Sequence, residues 1–138
     1  MEVRSYQPGD FAGLDRLWQL CFPGDPPHNR AAVAVPAKLA INDELLLVAV
    51  SGDQAVAGSV LAGYDGHRGW LYAVAVDPAH QRRGIGQSLV AAATARLADL
   101  GCTKVNLQIR AGNEQVIAFY AALGFAVEPR ISMGKRLG

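Results

Sequence analysis

"VDPAHQRRGIGQSLV", Val76–Val90, joins an apolar strand to an apolar helix through a turn carrying two arginines and two glycines. Before it, "WLYAVAV" (Trp70–Val76) reads as a strand, which Asp77-Pro78 stops. After it, Ile85, Leu89, Ala93, Leu97 and Leu100 recur every three or four residues, one buried helical stripe that Gly101 closes. The first turn of a helix has N–H groups without intrahelical partners and a partial positive charge. Glycine lets an anion approach those amides closely, and Arg82 and Arg83 add charge. As a bare junction the same turn is equally ordinary glycine punctuation, so the rest of the chain must decide.

Other glycine-rich motifs fit poorly. A dinucleotide fingerprint begun by Gly84-Ile85-Gly86 requires glycine or alanine where Leu89 stands, and an acidic residue about twenty positions on, where "KVNLQ" has none. No GxxxxGK or HExxH occurs, and His28, His67 and His80 are scattered, so no metal site is expected.

Outward from the turn, "VRSY" reads as a first strand and "PGDFAGLDRLWQLCF" as an amphipathic helix with Leu14, Leu17, Trp18 and Cys21 on one side. "PGDPP" breaks it, and a second helix is expected from about Arg30 to Ile41, with Pro36 inside. "ELLLVAV", "AVAGSVLAGY" and "WLYAVAV" form an antiparallel meander with turns at Ser51–Asp53 and in "DGHRG". "KVNLQI" alternates as a strand, and a last helix runs from about Asn113 to Leu123. "FAVE" and "ISMGKRL" are read as closing strands. The order β-α-α-β-β-β-α-β-α-β-β describes an α/β (α+β) mixed sheet with helices on both faces.

Bulk properties narrow the function. The 138 residues suit one domain, 1–138, with 51% hydrophobic and 18% charged residues, the composition of a packed core. A net charge of +1 argues against a nucleic-acid or membrane-surface binder. The start "MEVRSYQPGDF" lacks a secretory pattern, and "LLLVAV" is too short to span a bilayer. Cys21 and Cys102 read as buried thiols, so a cytoplasmic protein is expected.

"QRRGIG" (Gln81–Gly86) resembles the Q/R-x-x-G-x-G/A motif of the GNAT superfamily, the acetyl-CoA-dependent N-acetyltransferases. Asn113 at the opening of the last helix and "FYAALGF" (Phe119–Phe125) are similar to two further family segments, and the element order matches along nearly the whole chain. "GYDGHRG" resembles the turn of small bacterial YpeA-type members; the likeness to ribosomal-protein alanine N-acetyltransferases is more distant. The resemblance implies the GNAT fold: a mixed, mostly antiparallel sheet of about seven strands splayed in the middle, with about four helices on both faces. It implies acetyl-CoA as cosubstrate, no metal, and a primary amine of a small molecule or peptide as acceptor. A monomer or homodimer is expected.

By the same resemblance, Val74, Ala75 and Val76 pair with the pantetheine arm as an extra strand would. Amides of Arg82, Arg83, Gly84, Ile85, Gly86 and Gln87 hold the pyrophosphate, and Asn113 contacts the arm. Tyr120 matches the tyrosine that protonates the leaving sulfur, although a helical tyrosine among Val116 and Leu123 also reads as core. Where ribosomal-protein acetylating members carry a glutamate this chain has Gln108, and an amide cannot take a proton. Tyr64 and His67 are candidates for the acceptor rim, with His67 a candidate base; turn chemistry alone favours an ordinary solvated hairpin turn over that role. The competing reading is a GNAT-like module that binds acyl-CoA without turning it over.

Overall fold

The structure, a computed structural model, describes residues 1–138. Its backbone divides into two compact units, Met1–Leu107 and Gln108–Gly138.

The first unit is built on a five-stranded sheet in chain order: β1 (Glu2–Ser5), β2 (Leu46–Val50), β3 (Val56–Tyr64), β4 (Gly69–Val76) and β5 (Val105–Leu107). The first three pairings are antiparallel and β4–β5 is parallel. Every residue of β2 is buried, because helices cover both of its faces. On one face α1 (Phe11–Cys21) and α2 (Ala31–Ile41) set Leu14, Leu17, Trp18, Ala31 and Val35 against Leu46, Val48, Val50 and Ala75. The helix α2 continues through Pro36, carried by the burial of Ala31 and Val35 on either side of the first turn.

The other face belongs to α3 (Ile85–Asp99). Glycines permit its close approach: a Cβ on Gly58 would stand 2.8 Å from Leu89 Cδ1 and 3.0 Å from the Ala75 carbonyl. One on Gly69 would meet Leu97 Cδ1 of α3 at 3.0 Å, and Cys102 Sγ just beyond the helix at 2.9 Å. The helix is thus seated directly over β3 and β4, and its N-terminus is delivered beside the end of β4.

A buried ion pair fixes the entry to α1. Arg4 holds both carboxylate oxygens of Asp10, at 2.7 and 3.0 Å, and the Gln7 N–H donates to the same group at 2.8 Å. Arg4, and then the Gln7 amide against the opposing cost of burial, hold the Asp10 carboxyl below the usual range. Stability from a depressed carboxyl is present above the unfolded value near 4 and is lost as pH falls through the lower folded value. Asp10→Asn is therefore expected to cost roughly 1.5–3 kcal/mol at neutral pH, the scale of hydrogen bonds to charged groups. In urea melts the gap from the parent protein should close as the pH is lowered below about 4.

In the second unit α4 (Gln115–Ala122) follows a turn in which the Asn113 N–H donates to the Arg110 carbonyl. The helix ends at Gly124, whose φ of +96° suits glycine, and the Leu123 and Phe125 N–H groups both return to the Tyr120 carbonyl. The expected closing strands "FAVE" and "ISMGKRL" are irregular chain, so the sheet has five strands and not about seven. Alternating apolar residues make a strand only where one face is covered. Val127, Ile131, Met133 and Leu137 are all exposed, and Pro129 and Gly134 interrupt the run.

Candidate active site

The end of β4 presents an open edge. Successive N–H groups of a strand point to opposite edges. The Asp77 N–H donates to the Ala57 carbonyl at 2.8 Å on the β3 side, so the Val76 N–H faces the other way. On that side the β5 ladder stops at the Leu71–Leu107 pair while β4 runs on to Val76.

Midway, β4 carries a bulge. Its register with β3 jumps from Ser59 opposite Ala75 to Leu61 opposite Tyr72, and Ala73 takes φ +51°. The pattern "WLYAVAV" gave no sign of this irregularity. Trp18 and Ser59, whose hydrogen bonds lead to the Ala73 carbonyl, are not among the site residues that the sequence points to.

Beyond Val76, the buried Asp77 folds the chain toward α3. Its carboxylate accepts the Ala79 N–H at 2.9 Å and pairs with Arg16 at 3.1 Å. Those two contacts, the backbone one first, keep its carboxyl below the ordinary range. The turn then takes left-handed residues at Arg82 (φ +67°) and Gly84 (φ +75°). Arg82, Arg83 and Gly84 are exposed, and Arg83 Nη1 lies 3.4 Å from His80 Nδ1. Gly84 is the residue before α3, and no side chain caps the helix, so the first-turn amides of Ile85, Gly86 and Gln87 are left without a side-chain acceptor. Open edge and uncapped helix start therefore belong to one strand–turn–helix passage.

A cavity of about 370 Å³ lies on the α1–α2 side, lined by Asp15, Trp18, Phe22, Asp25 and Arg30 among others. The β3–β4 hairpin is far from the end of β4. Tyr64 pairs opposite Gly69, where β4 begins, and at roughly 3.3 Å per residue the tip lies about 20 Å from Val74. There the Asp65 carboxylate accepts the His67 and Arg68 N–H groups at 2.7 Å, and the Tyr64 hydroxyl reaches the Gly66 carbonyl. The geometry does not bring Tyr64 and His67 together with Val74–Val76, and the turn's hydrogen bonds account for Asp65.

The second unit carries the other candidates. Gln108 is exposed, with its amide nitrogen donating to the Ser132 hydroxyl, and Asn113 is exposed before α4. Tyr120 is 8% exposed and meets Phe119 and Phe125 edge to face, at ring separations of 4.9 and 5.6 Å. Burial pushes its phenol above the ordinary value, which keeps the ring hydroxyl protonated.

Known proteins place this architecture. An acetyltransferase of Yersinia enterocolitica is 39% identical over 140 residues, spanning 99% of this chain and 96% of its own length. A solved putative acetyltransferase from Agrobacterium tumefaciens superposes with a TM-score of 0.76 at 27% identity, covering 99% of this chain and 100% of its own. The NatC complex bound to Gag peptide and CoA shares the fold, with a TM-score of 0.80 at 22% identity over 95% of this chain and 89% of its own. The class is that of an acyl-transferring enzyme. More narrowly, the acetyltransferase (GNAT) family model matches residues 11–125, and the chain belongs to that family.

Proposed function

We propose that this protein transfers an acetyl group from acetyl-CoA to a primary amine of a small molecule or peptide by direct attack. The observation that supports this most is the continuity of the open β4 edge with the glycine-led, uncapped start of α3. A long carrier with an amide-bearing arm and a diphosphate needs both features in that order. The residues fit it: Gly84 adopts a conformation that side chains resist, and a Cβ there would meet nothing within 4 Å, so the approach to the helix start is clear.

Val74, Ala75 and Val76 would pair with the pantetheine arm, and the amides from Arg82 to Gln87 would hold the pyrophosphate. Asn113 would contact the arm. When bound, acetyl-CoA supplies an activated carbonyl and a thiolate leaving group. The acceptor's amine lone pair forms the new N–C bond as the C–S bond breaks, and the amine proton passes to solvent. A backbone N–H of the β4 edge stabilises charge on the carbonyl oxygen. Tyr120, kept protonated by its burial, gives its proton to the sulfur. Gln108 cannot be the base. An α-amine, with a reference pKa near 8, needs less help losing its proton than a lysine near 10.4. The α1–α2 cavity sets polar groups of both signs, Asp15, Asp25 and Arg30, beside aromatic rings, a lining with room for the body of a polar acceptor.

The absence of a carboxylate at position 108 favours one rival, an acyl-CoA-binding module without turnover. Release of CoA thiol from acetyl-CoA over a panel of amino acids, polyamines, small amines and N-terminal peptides separates the two. Acceptor-dependent release with a matching mass gain is expected. Binding of acetyl-CoA with no release across the panel leaves the module.

A further inference from the structure

The apolar strand "VAGSVLAGY" contains one hydroxyl in its middle, and Ser59 is fully buried. The Trp18 indole Nε1–H donates to Ser59 Oγ at 2.9 Å, and Ser59 Oγ–H donates to the Ala73 carbonyl at 2.8 Å. A serine hydroxyl has a single hydrogen. Accepting from Trp18 leaves that hydrogen to point at Ala73, so the relay runs in one direction. Its terminus is the residue held at φ +51°, a left-handed conformation that residues with a Cβ disfavour. Such strain persists only where the surroundings over-determine it.

The consequence falls on the next amide. In a trans peptide the C=O and N–H point in opposite directions across one plane. Anchoring the Ala73 carbonyl on Ser59 therefore aims the Val74 N–H away from the α1 face. We propose that Ser59, oriented by Trp18, is a positioning residue that sets the β4 bulge and directs the Val74 N–H, an inference that rests on β4 being the acyl carrier's strand partner. Trp18 also lines the α1–α2 cavity, so the cavity and the bulge share one indole.

The test compares Ser59→Ala, Trp18→Phe and the double variant by kcat, KM for acetyl-CoA, melting with and without CoA, and amide exchange at Val74. Ser59→Ala should lower kcat about 10- to 100-fold, the scale of a misaimed transition-state donor, while CoA still raises its melting temperature. At saturating acceptor, which removes the part of Trp18 in the cavity wall, Trp18→Phe should lose less kcat, and the double variant should match Ser59→Ala within about twofold, because Trp18 acts on the bulge through Ser59. With CoA bound, exchange at Val74 should be slowed in the parent and much less slowed in Ser59→Ala, while the slowing at Ile85–Gln87 is the same in both. A kcat near the parent's, additive losses in the double variant, or equal slowing at Val74 in both proteins each overturn the proposal. If Ser59→Ala does not fold, Ser59→Cys, close in size and a weaker donor, must show the same kcat loss. Should the parent protein turn over no amine, the acetyl-transfer reading fails, and exchange at Val74 alone decides the positioning role.

Discussion

Gly84→Asp is expected to abolish the stabilisation that CoA confers while leaving a folded protein. A ligand that binds only the folded chain stabilises it by RT ln(1 + [L]/Kd), about 2.7 kcal/mol at a hundredfold excess over Kd. Aspartate tolerates the left-handed conformation of this position, φ +75°, better than most side chains. Its carboxylate would stand before the first-turn amides of α3, where an anion is favourable by roughly 0.3–1 kcal/mol, and up to about 2 in sheltered geometry. The unliganded helix therefore loses little, and a second anion is refused. The parent should show a thermal shift of several degrees with CoA; the variant should show almost none at the same concentration and melt close to the parent without ligand. Equal shifts in both proteins would place the diphosphate elsewhere. Gly84→Ala separates charge from bulk, and it should bind CoA more weakly than the parent yet better than the aspartate variant.

Much of this passage is legible in the amino-acid sequence, because it is local. The stop at Asp77-Pro78, the glycine at a left-handed position and the helical stripe from Ile85 are set by neighbours a few residues apart. The meander is equally plain, since β2 and β3 are apolar runs separated by turn residues. The bulge is not legible. It depends on a serine, a tryptophan and an alanine from three elements, brought together only by packing; the single visible clue was one hydroxyl inside an otherwise apolar strand. The closing strands fail for the opposite reason. Their alternation is real, but alternation describes a face that something must cover, and Ile131, Met133 and Leu137 are each more than nine-tenths exposed. His67 stands out by residue type, and topology sets it at the far end of β4. Length along a strand is invisible to a search for reactive side chains.

Tyr120→Phe is expected to give the largest loss of turnover with the least structural disturbance. The ring keeps both edge-to-face contacts, with Phe119 and Phe125, so only the hydroxyl is lost. A positioned general acid contributes roughly 10²–10⁴-fold, and kcat should fall within that range while KM for acetyl-CoA changes little. Burial raises the Tyr120 pKa, so the acid form is present across the neutral range and is lost only above the ordinary tyrosine value near 10. The parent's kcat should decline on that alkaline side, and the phenylalanine variant should lack that decline. The same shift has a sign for stability. The folded state holds this proton more tightly than the unfolded one, so stability is retained below pH about 10 and falls as pH rises toward the higher folded value. The variant should be relieved of that alkaline loss in melts without any ligand. Turnover is then separated from packing: a variant as active as the parent at neutral pH leaves Tyr120 a core aromatic, and leaves protonation of the departing sulfur to solvent.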